Sequence, residues 1–274
     1  MAATEPGETP SPEAELHRNR ARAESFGADA EKYDRSRPRY PEELVSRIVA
    51  GSPGPDVVDV GCGTGIAARQ FLAAGCRVLG VEVDARMAGV ARRHGVDVEV
   101  APFEAWDPAG RSFDAVISGQ AWHWVDPVAG AAKAAGLLRP GGRLAVFWNL
   151  GRPSTDVAEE LSAVYRRVAP ELEGGHLTGP AAGGPATAVG RAADGIRRAG
   201  AFDDPEAWRF DWERRYTRDE WLDQLPTHSD HRLLSPERLA ALLPAIGAAI
   251  DALGGAFTMG FTTAVATATR ATGA

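Results

Sequence analysis

Lysine is nearly missing from this 274-residue chain: Lys32 and Lys133 are the only two, and arginine supplies the rest of the 30 basic residues. Set against 37 acids, they leave a formal charge of −7. That balance argues against a nucleic-acid partner, which needs clustered cations along one face. With the many alanines and glycines, the lysine scarcity reads as composition bias. Cysteine is scarce as well. Cys62 and Cys76 form no C-x-x-C pair, and no His/Cys cluster has metal-ligand spacing. A disulfide framework and a structural zinc site are thereby excluded, no metal is expected, and a reducing cytoplasm is the expected setting. No apolar run approaches the roughly 20 residues of a membrane span. The opening MAATEPGETPSPEAELHRNRAR lacks a signal peptide's apolar core, so no membrane partner is expected.

What is present is an ordinary globular composition, 44% hydrophobic and 24% charged, long enough for a substantial core. Residues 1–21, rich in Pro, Glu, Thr and Ala, read as a disordered tail, and 22–274 as one domain. Residues 22–39 read as a helix broken near Pro38, and Pro41 suits the first position of a helix over 41–50. Strands at 56–60, 76–83, 96–101, 113–118 and 141–149 then alternate with helices at 65–75, 84–95 and 127–138. Such alternation predicts an α/β fold: a doubly wound, mostly parallel sheet with helices on both faces and right-handed crossovers. Ligands then bind outside the carboxyl ends of the strands. Beyond residue 150 come a helix at 156–169, a Gly/Ala/Pro-rich loop over 174–190 and a strand at 208–214. Helices near 217–225 and 235–253 and a last strand at 257–266 follow.

The first strand, DVVDV, runs into GCGTG (61–65) and a helix. Glycines there let the backbone turn sharply and bring amides close to a ligand at a helix N-terminus. The spacing is G-x-G-x-G. The dinucleotide pattern G-x-G-x-x-G would need glycine where Ile66 stands, which with Asp59 disfavours a nicotinamide-dependent oxidoreductase. Glu82 ends the second strand, where a carboxylate can accept both hydroxyls of an adenosine ribose.

VVDVGCGTG, VLGVEVD, FEAW, FDAVIS and LRPGGRLAVFW together resemble the ordered motifs of class I S-adenosylmethionine-dependent methyltransferases across residues 56–149. The resemblance implies a Rossmann-like, doubly wound sheet completed by an antiparallel C-terminal strand. S-adenosylmethionine is the implied cofactor, a small molecule the acceptor, and a monomer or homodimer the assembly. It implies that Asp59 and Gly61, Cys62, Gly63 and Gly65 surround the methionine portion, with Cys62 packing or brushing against it. Glu82 would hold the ribose, though many relatives carry Asp there. Val83 and Met87 would pack on adenine, Phe103 would lie at its amino edge with Glu104 beside it or capping a turn, and Ser118 would lie beneath the donor. Residues 22–55 resemble an N-terminal lid in which Tyr33 and Arg37 reach the donor carboxylate or the substrate and Tyr40 lines the entrance. A helix packed on the sheet edge is the alternative. Segments 151–206 and 215–253 would be variable acceptor-side insertions around the 56–150 core.

GQAWHWVDP (119–127) follows the fourth strand and resembles, with YDRSRPRYP, branches that include carboxylate O-methyltransferases of the trans-aconitate type. His123 stands as a catalytic base, as an acceptor-pocket wall with Trp122 or Trp124, or as a structural anchor. In extended chain both tryptophans would share the side opposite His123, and if the segment is already turning into helix they would not. His228, in LPTHSDHRLL, either faces the acceptor or belongs to a helix-capping loop. A non-catalytic cofactor-binding protein and an RNA or protein methyltransferase are the remaining alternatives.

Overall fold

A computed structural model describes residues 27, 29–172 and 185–271. The expected tail at 1–21, the first residues of the expected lid and most of the 174–190 loop lie outside them. Helix α1 (Ala30–Ser36) is shorter than the helix expected over 22–39. Asp29 caps it by accepting from the Lys32 amide, 3.1 Å away. It stops because Pro38 disfavours helical backbone at the residue before it, and Arg37 is extended at φ −68°, ψ 143°. Helix α2 (Glu42–Ala50) buries Leu44, Val45 and Ile48 on one face, with Pro41 at the cap position just outside it.

Strands β1 (Asp56–Val60), β2 (Arg77–Glu82), β3 (Asp97–Val100), β4 (Phe113–Gly119) and β5 (Leu138–Pro153) run parallel. Helices α3 (Ile66–Ala73), α4 (Ala85–Arg93) and α5 (Pro127–Leu137) connect them, with a single 3₁₀ turn at Phe103–Ala105 between β3 and β4. The sheet order is β3-β2-β1-β4-β5-β7-β6, so the winding reverses between β1 and β4. Strand β7 (Ala256–Thr269) is antiparallel to β5 and to β6 (Glu206–Thr217). Leu44, Ile48, Phe71 and Ala88 pack on one face of the sheet, and Ala131, Ala134 and Leu137 with Ala188, Ala192 and Ile196 on the other. The expected architecture is therefore present.

Two readings need correction. The 174–190 loop ends earlier than expected, because Pro185–Ala199 is a helix, α7. Ala188, Ala192 and Ile196 recur every four residues and are buried, a helical face that an alanine-rich sequence conceals. Strands β5 and β7 also outrun their expected limits. Their ladder continues from Arg143 opposite Thr269 to Pro153 opposite Met259. The extension carries its own core of Leu161, Tyr165, Tyr216, Trp221, Ile246, Phe257 and Phe261. Helices α6 (Thr155–Val168), α8 (Arg218–Gln224) and α9 (Pro236–Ala252) contribute to it. No helix among the described residues is long and apolar enough to cross a membrane.

Gly80 in β2 faces the turn that follows β1. A methyl group there would stand 2.5 Å from the Cys62 sulfur. Gly80→Ala is expected to cost about 1–3 kcal/mol through overpacking. Adding Cys62→Ala should restore more than half of that loss, as read from denaturant midpoints of the three variants.

Candidate active site

The carboxyl ends of β1, β2 and β4 open into a cavity of about 540 Å³. Its floor is the turn after β1. Gly61, Gly63 and Gly65 all have positive φ (67°, 56° and 83°), which L side chains rarely adopt. A Cβ on Gly61 would also stand 2.5 Å from that of Ala121, so the turn after β1 nests against the turn after β4. The Gly61 amide donates to the Val81 carbonyl at 2.8 Å, fixing the β1 exit against β2.

Glu82 is buried yet lines the cavity. Its carboxylate accepts from the amide of Gly63 at 2.8 Å and that of Asp84 at 2.9 Å. Burial raises its pKa, and those amides pull the other way. Asp59 sits behind the floor, with neither carboxylate oxygen in a hydrogen bond of normal geometry. Burial first and the Glu82 charge second push its pKa up to about 7, offset in part by the Ala68 amide.

The cavity wall includes Tyr33, Arg37, Tyr40, Gly61, Gly63, Glu82, Val83, Met87, Phe103, Glu104, His123, Trp124 and His228. Five other expected residues stand behind it. Asp59 is buried near the end of β1, and Gly65 packs against Val96 and Ala91. Cys62 packs against Gly80, and burial raises its thiol pKa. Ser118 is fully buried and donates to the Val60 carbonyl at 2.8 Å, joining β4 to β1. Trp122 belongs to the core, its ring 6.1 Å from that of Phe103.

The reason for Trp122 is local. Residues 122–124 form a 3₁₀ turn, which rotates each successive side chain by about 120°, so the alternation expected of extended chain fails. His123 and Trp124 reach the cavity, and Trp122 turns inward. The Trp148 indole donates to His123 Nδ1 at 3.3 Å.

The N-terminal segment is tied down on both sides. Arg37 donates to the Thr227 hydroxyl at 2.9 Å and to the Thr227 carbonyl at 2.6 Å. Tyr40 exchanges backbone hydrogen bonds with the Gln70 carboxamide at 3.0 and 2.7 Å. Asp34 pairs with Arg69 at 2.6 Å and Arg35 with Asp223 at 2.8 Å, so α1 spans from α3 to α8. Tyr40 is an un-ionised phenol, its pKa held far up by burial. Gln120, Asn149, Ser229 and Asp230 also line the cavity. Gln120 lies within GQAWHWVDP and Ser229 and Asp230 within LPTHSDHRLL, whereas Asn149 ends the strand expected at 141–149, where nothing marked it.

Residues 58–146 match the family described as "Methyltransferase domain". An uncharacterized methyltransferase of Mycobacterium tuberculosis is 34% identical over 151 residues, 52% of this chain and 59% of that protein. A malonyl-[acyl-carrier protein] O-methyltransferase of Hahella chejuensis is 37% identical over 132 residues, 44% of this chain and 47% of that protein. The matches thus span less than two thirds of the length of these curated relatives. A solved structure of a candidate type II methyltransferase from Anaeromyxobacter dehalogenans superposes with a TM-score of 0.60 at 27% identity. That match covers 86% of this chain and 98% of the other.

Asp59 leaves a signature in stability. Its folded pKa lies above the unfolded value of 3.8, so the folded state holds an extra proton between pH 4 and 7. Its stabilising contribution is present below pH 4 and is lost as pH rises through about 7. Asp59→Asn should therefore stabilise the free protein by roughly 2–4 kcal/mol at pH 8, at 1.36 kcal/mol per pKa unit, and by much less at pH 5. Thermal unfolding against pH measures this.

Proposed function

We propose that this chain, which carries a class I methyltransferase domain, transfers a methyl group from S-adenosylmethionine to a small-molecule acceptor, with oxygen as the favoured acceptor atom. One observation carries the reading: the Glu82 carboxylate, clamped by two backbone amides, faces the cavity beside the Gly61–Gly65 turn. A carboxylate so fixed keeps lone pairs for a pair of vicinal hydroxyls. Asp59, its pKa pushed up to about 7 by burial, carries a partial negative charge behind the same turn near neutral pH, and that suits a cationic ligand.

Bound S-adenosylmethionine supplies a methyl group already activated by a sulfonium. What remains for the protein is to bind, align and exclude water. Glu82 accepts the ribose hydroxyls, Val83, Met87 and Phe103 flank the adenine, and the Gly61–Gly65 turn admits the methionine portion. Arg37 and Tyr40, tied to Thr227 and Gln70, close one side of the cavity. His123, Trp124 and His228 form the acceptor end. Alignment of this kind can remove roughly 7–11 kcal/mol of barrier. The O-methyltransferase relative supports oxygen as acceptor atom, and the acidic charge supports a small molecule over nucleic acid.

Titration calorimetry tests the reading. S-adenosylhomocysteine should bind, NAD should not, and Glu82→Ala should weaken S-adenosylhomocysteine about ten-fold or more, as loss of a charge-assisted pair of hydrogen bonds requires. Heat with NAD and none with S-adenosylhomocysteine would sink the proposal.

A further inference from the structure

We infer that Lys133 is a positioning residue for the cofactor: from outside the cavity wall, its ammonium caps the 103–105 turn and so sets the Phe103 ring against the place the adenine takes. The inference rests on the reading of this cavity as a methyl-transfer site.

The turn leaves carbonyls at its end. The amides of Ala105 and Trp106 donate to the Pro102 carbonyl at 3.0 and 2.9 Å, and that of Trp106 also reaches the Phe103 carbonyl at 3.3 Å. The carbonyls of Glu104 and Trp106 come after these bonds, where a short helix has no internal partner for its last acceptors. Lys133 supplies the donors. Reaching across from α5, its Nζ donates to the Glu104 carbonyl at 3.2 Å and to the Trp106 carbonyl. The carbonyl end of a turn is where a cation is stabilised. Burial lowers the lysine pKa, and the nearby Glu104 and Asp107 carboxylates pull the other way.

These bonds bear on Phe103, the first residue of the turn. Its ring is stacked on that of Trp106, with centroids 6.4 Å apart and planes 25° apart, and lies 6.1 Å from that of Trp122. The Lys133 ammonium stands 5.4 Å from the same ring centroid, within range of a cation–π contact. All three neighbours depend on α5. Lys133 belongs to it, and Trp106 carries a carbonyl that Lys133 holds. Gly130 of the same helix lets it close on the 122–125 segment, since a Cβ there would stand 3.3 Å from the Trp122 indole and 2.4 Å from a Val125 methyl. On the other side the Trp106 indole donates to the Glu99 carboxylate of β3, which Arg111 also pairs with at 2.8 Å. The turn is therefore held between α5 and β3, and the ring it carries is buried and lines the cavity.

A planar base gains most from an aromatic ring already fixed at the right height and tilt. A ring that must be ordered on binding gives back part of the contact. Affinity for the adenosyl group is then set partly by a charge that touches no atom of the ligand.

Titration calorimetry with S-adenosylhomocysteine tests this. Lys133→Met keeps the length of the side chain but removes its charge and its donors, and it should weaken binding about five-fold or more, as partial loss of an aromatic contact with a base requires. Lys133→Arg, which keeps charge and donors, should stay within about two-fold of the parent. Phe103→Ala should also weaken binding, and adding Lys133→Met to it should change affinity by less than about two-fold, because the ring being positioned is gone. A lysine that only stabilised the fold would weaken binding by the same factor in both backgrounds. Neutralising the amine after folding gives an independent arm. In Lys32→Arg, Lys133 is the sole lysine of the chain, and treatment with acetic anhydride should reproduce the loss seen in Lys133→Met. Without ligand, the indole ¹H–¹⁵N resonances of Trp106 and Trp122 should shift in Lys133→Met, and those of Trp208 and Trp212 on β6 should not. Unchanged affinity in Lys133→Met, or an equal loss with and without the Phe103 ring, would overturn the inference. Failure of S-adenosylhomocysteine to bind the parent protein would instead remove the methyl-transfer reading, and the indole resonances, read without ligand, distinguish the two.

Discussion

The clamp on Glu82 is the constraint around which the site is organised. Gly63 and Asp84 donate to one carboxylate from opposite sides, so the turn after β1 and the turn after β2 are set by the same group. The turn after β4 is set in turn by contact between Gly61 and Ala121. Three strand exits on both sides of the winding reversal are thereby locked into one frame. The clamp has an electrostatic cost, because Glu82 is buried and Asp59 lies close enough to raise its own pKa through the Glu82 charge. Two acids gathered without a matching base make a region of negative potential. Such a region favours a sulfonium and an ammonium, and it opposes the phosphates of a dinucleotide.

This half of the site could be read from the sequence because its determinants are local. G-x-G-x-G after an apolar run specifies a tight turn before a helix, and an acid at the next strand's end needs only the β-α-β register to fall beside it. The anchoring of the N-terminal segment was less legible. Arg37 meets Thr227 and Tyr40 meets Gln70, pairings that only the tertiary fold creates. Trp122 was misplaced for a different reason: a strand period was carried one turn too far, into a segment that coils as a 3₁₀ turn. Helix α7 was missed because alanines at its buried positions give little apolar contrast.

His123, Trp124 and His228 were legible as candidates, but their support was hidden because it lies on β5, whose sequence reads simply as strand. Phe147, Trp148 and Asn149 serve the sheet and the site together. Through their backbones they pair with Val265, Ala264 and Thr263 of β7. Alternation along the strand then sends Phe147 to one face, where Tyr40 meets it edge-on at 4.7 Å, and Trp148 to the other, where it meets His123. Asn149 is fixed by the Thr263 hydroxyl at 2.6 Å and itself donates to the Arg39 carbonyl at 3.1 Å.

The antiparallel extension of the sheet consequently bears on chemistry as well as stability. A parallel sheet ending at β5 would leave residues 147–149 on an edge, where strands lack a second ladder and fray more readily. Pairing with β7 places them inside the sheet, so the 120–124 turn leans on a rigid support. The Glu82 side of the cavity is held by backbone amides. The opposite side is lined by side chains on that turn and on residues 228–230, none of which bonds to Glu82 in the clamp. Side-chain changes in those two segments would therefore reshape the cavity while β5 stays in place to hold whatever they present.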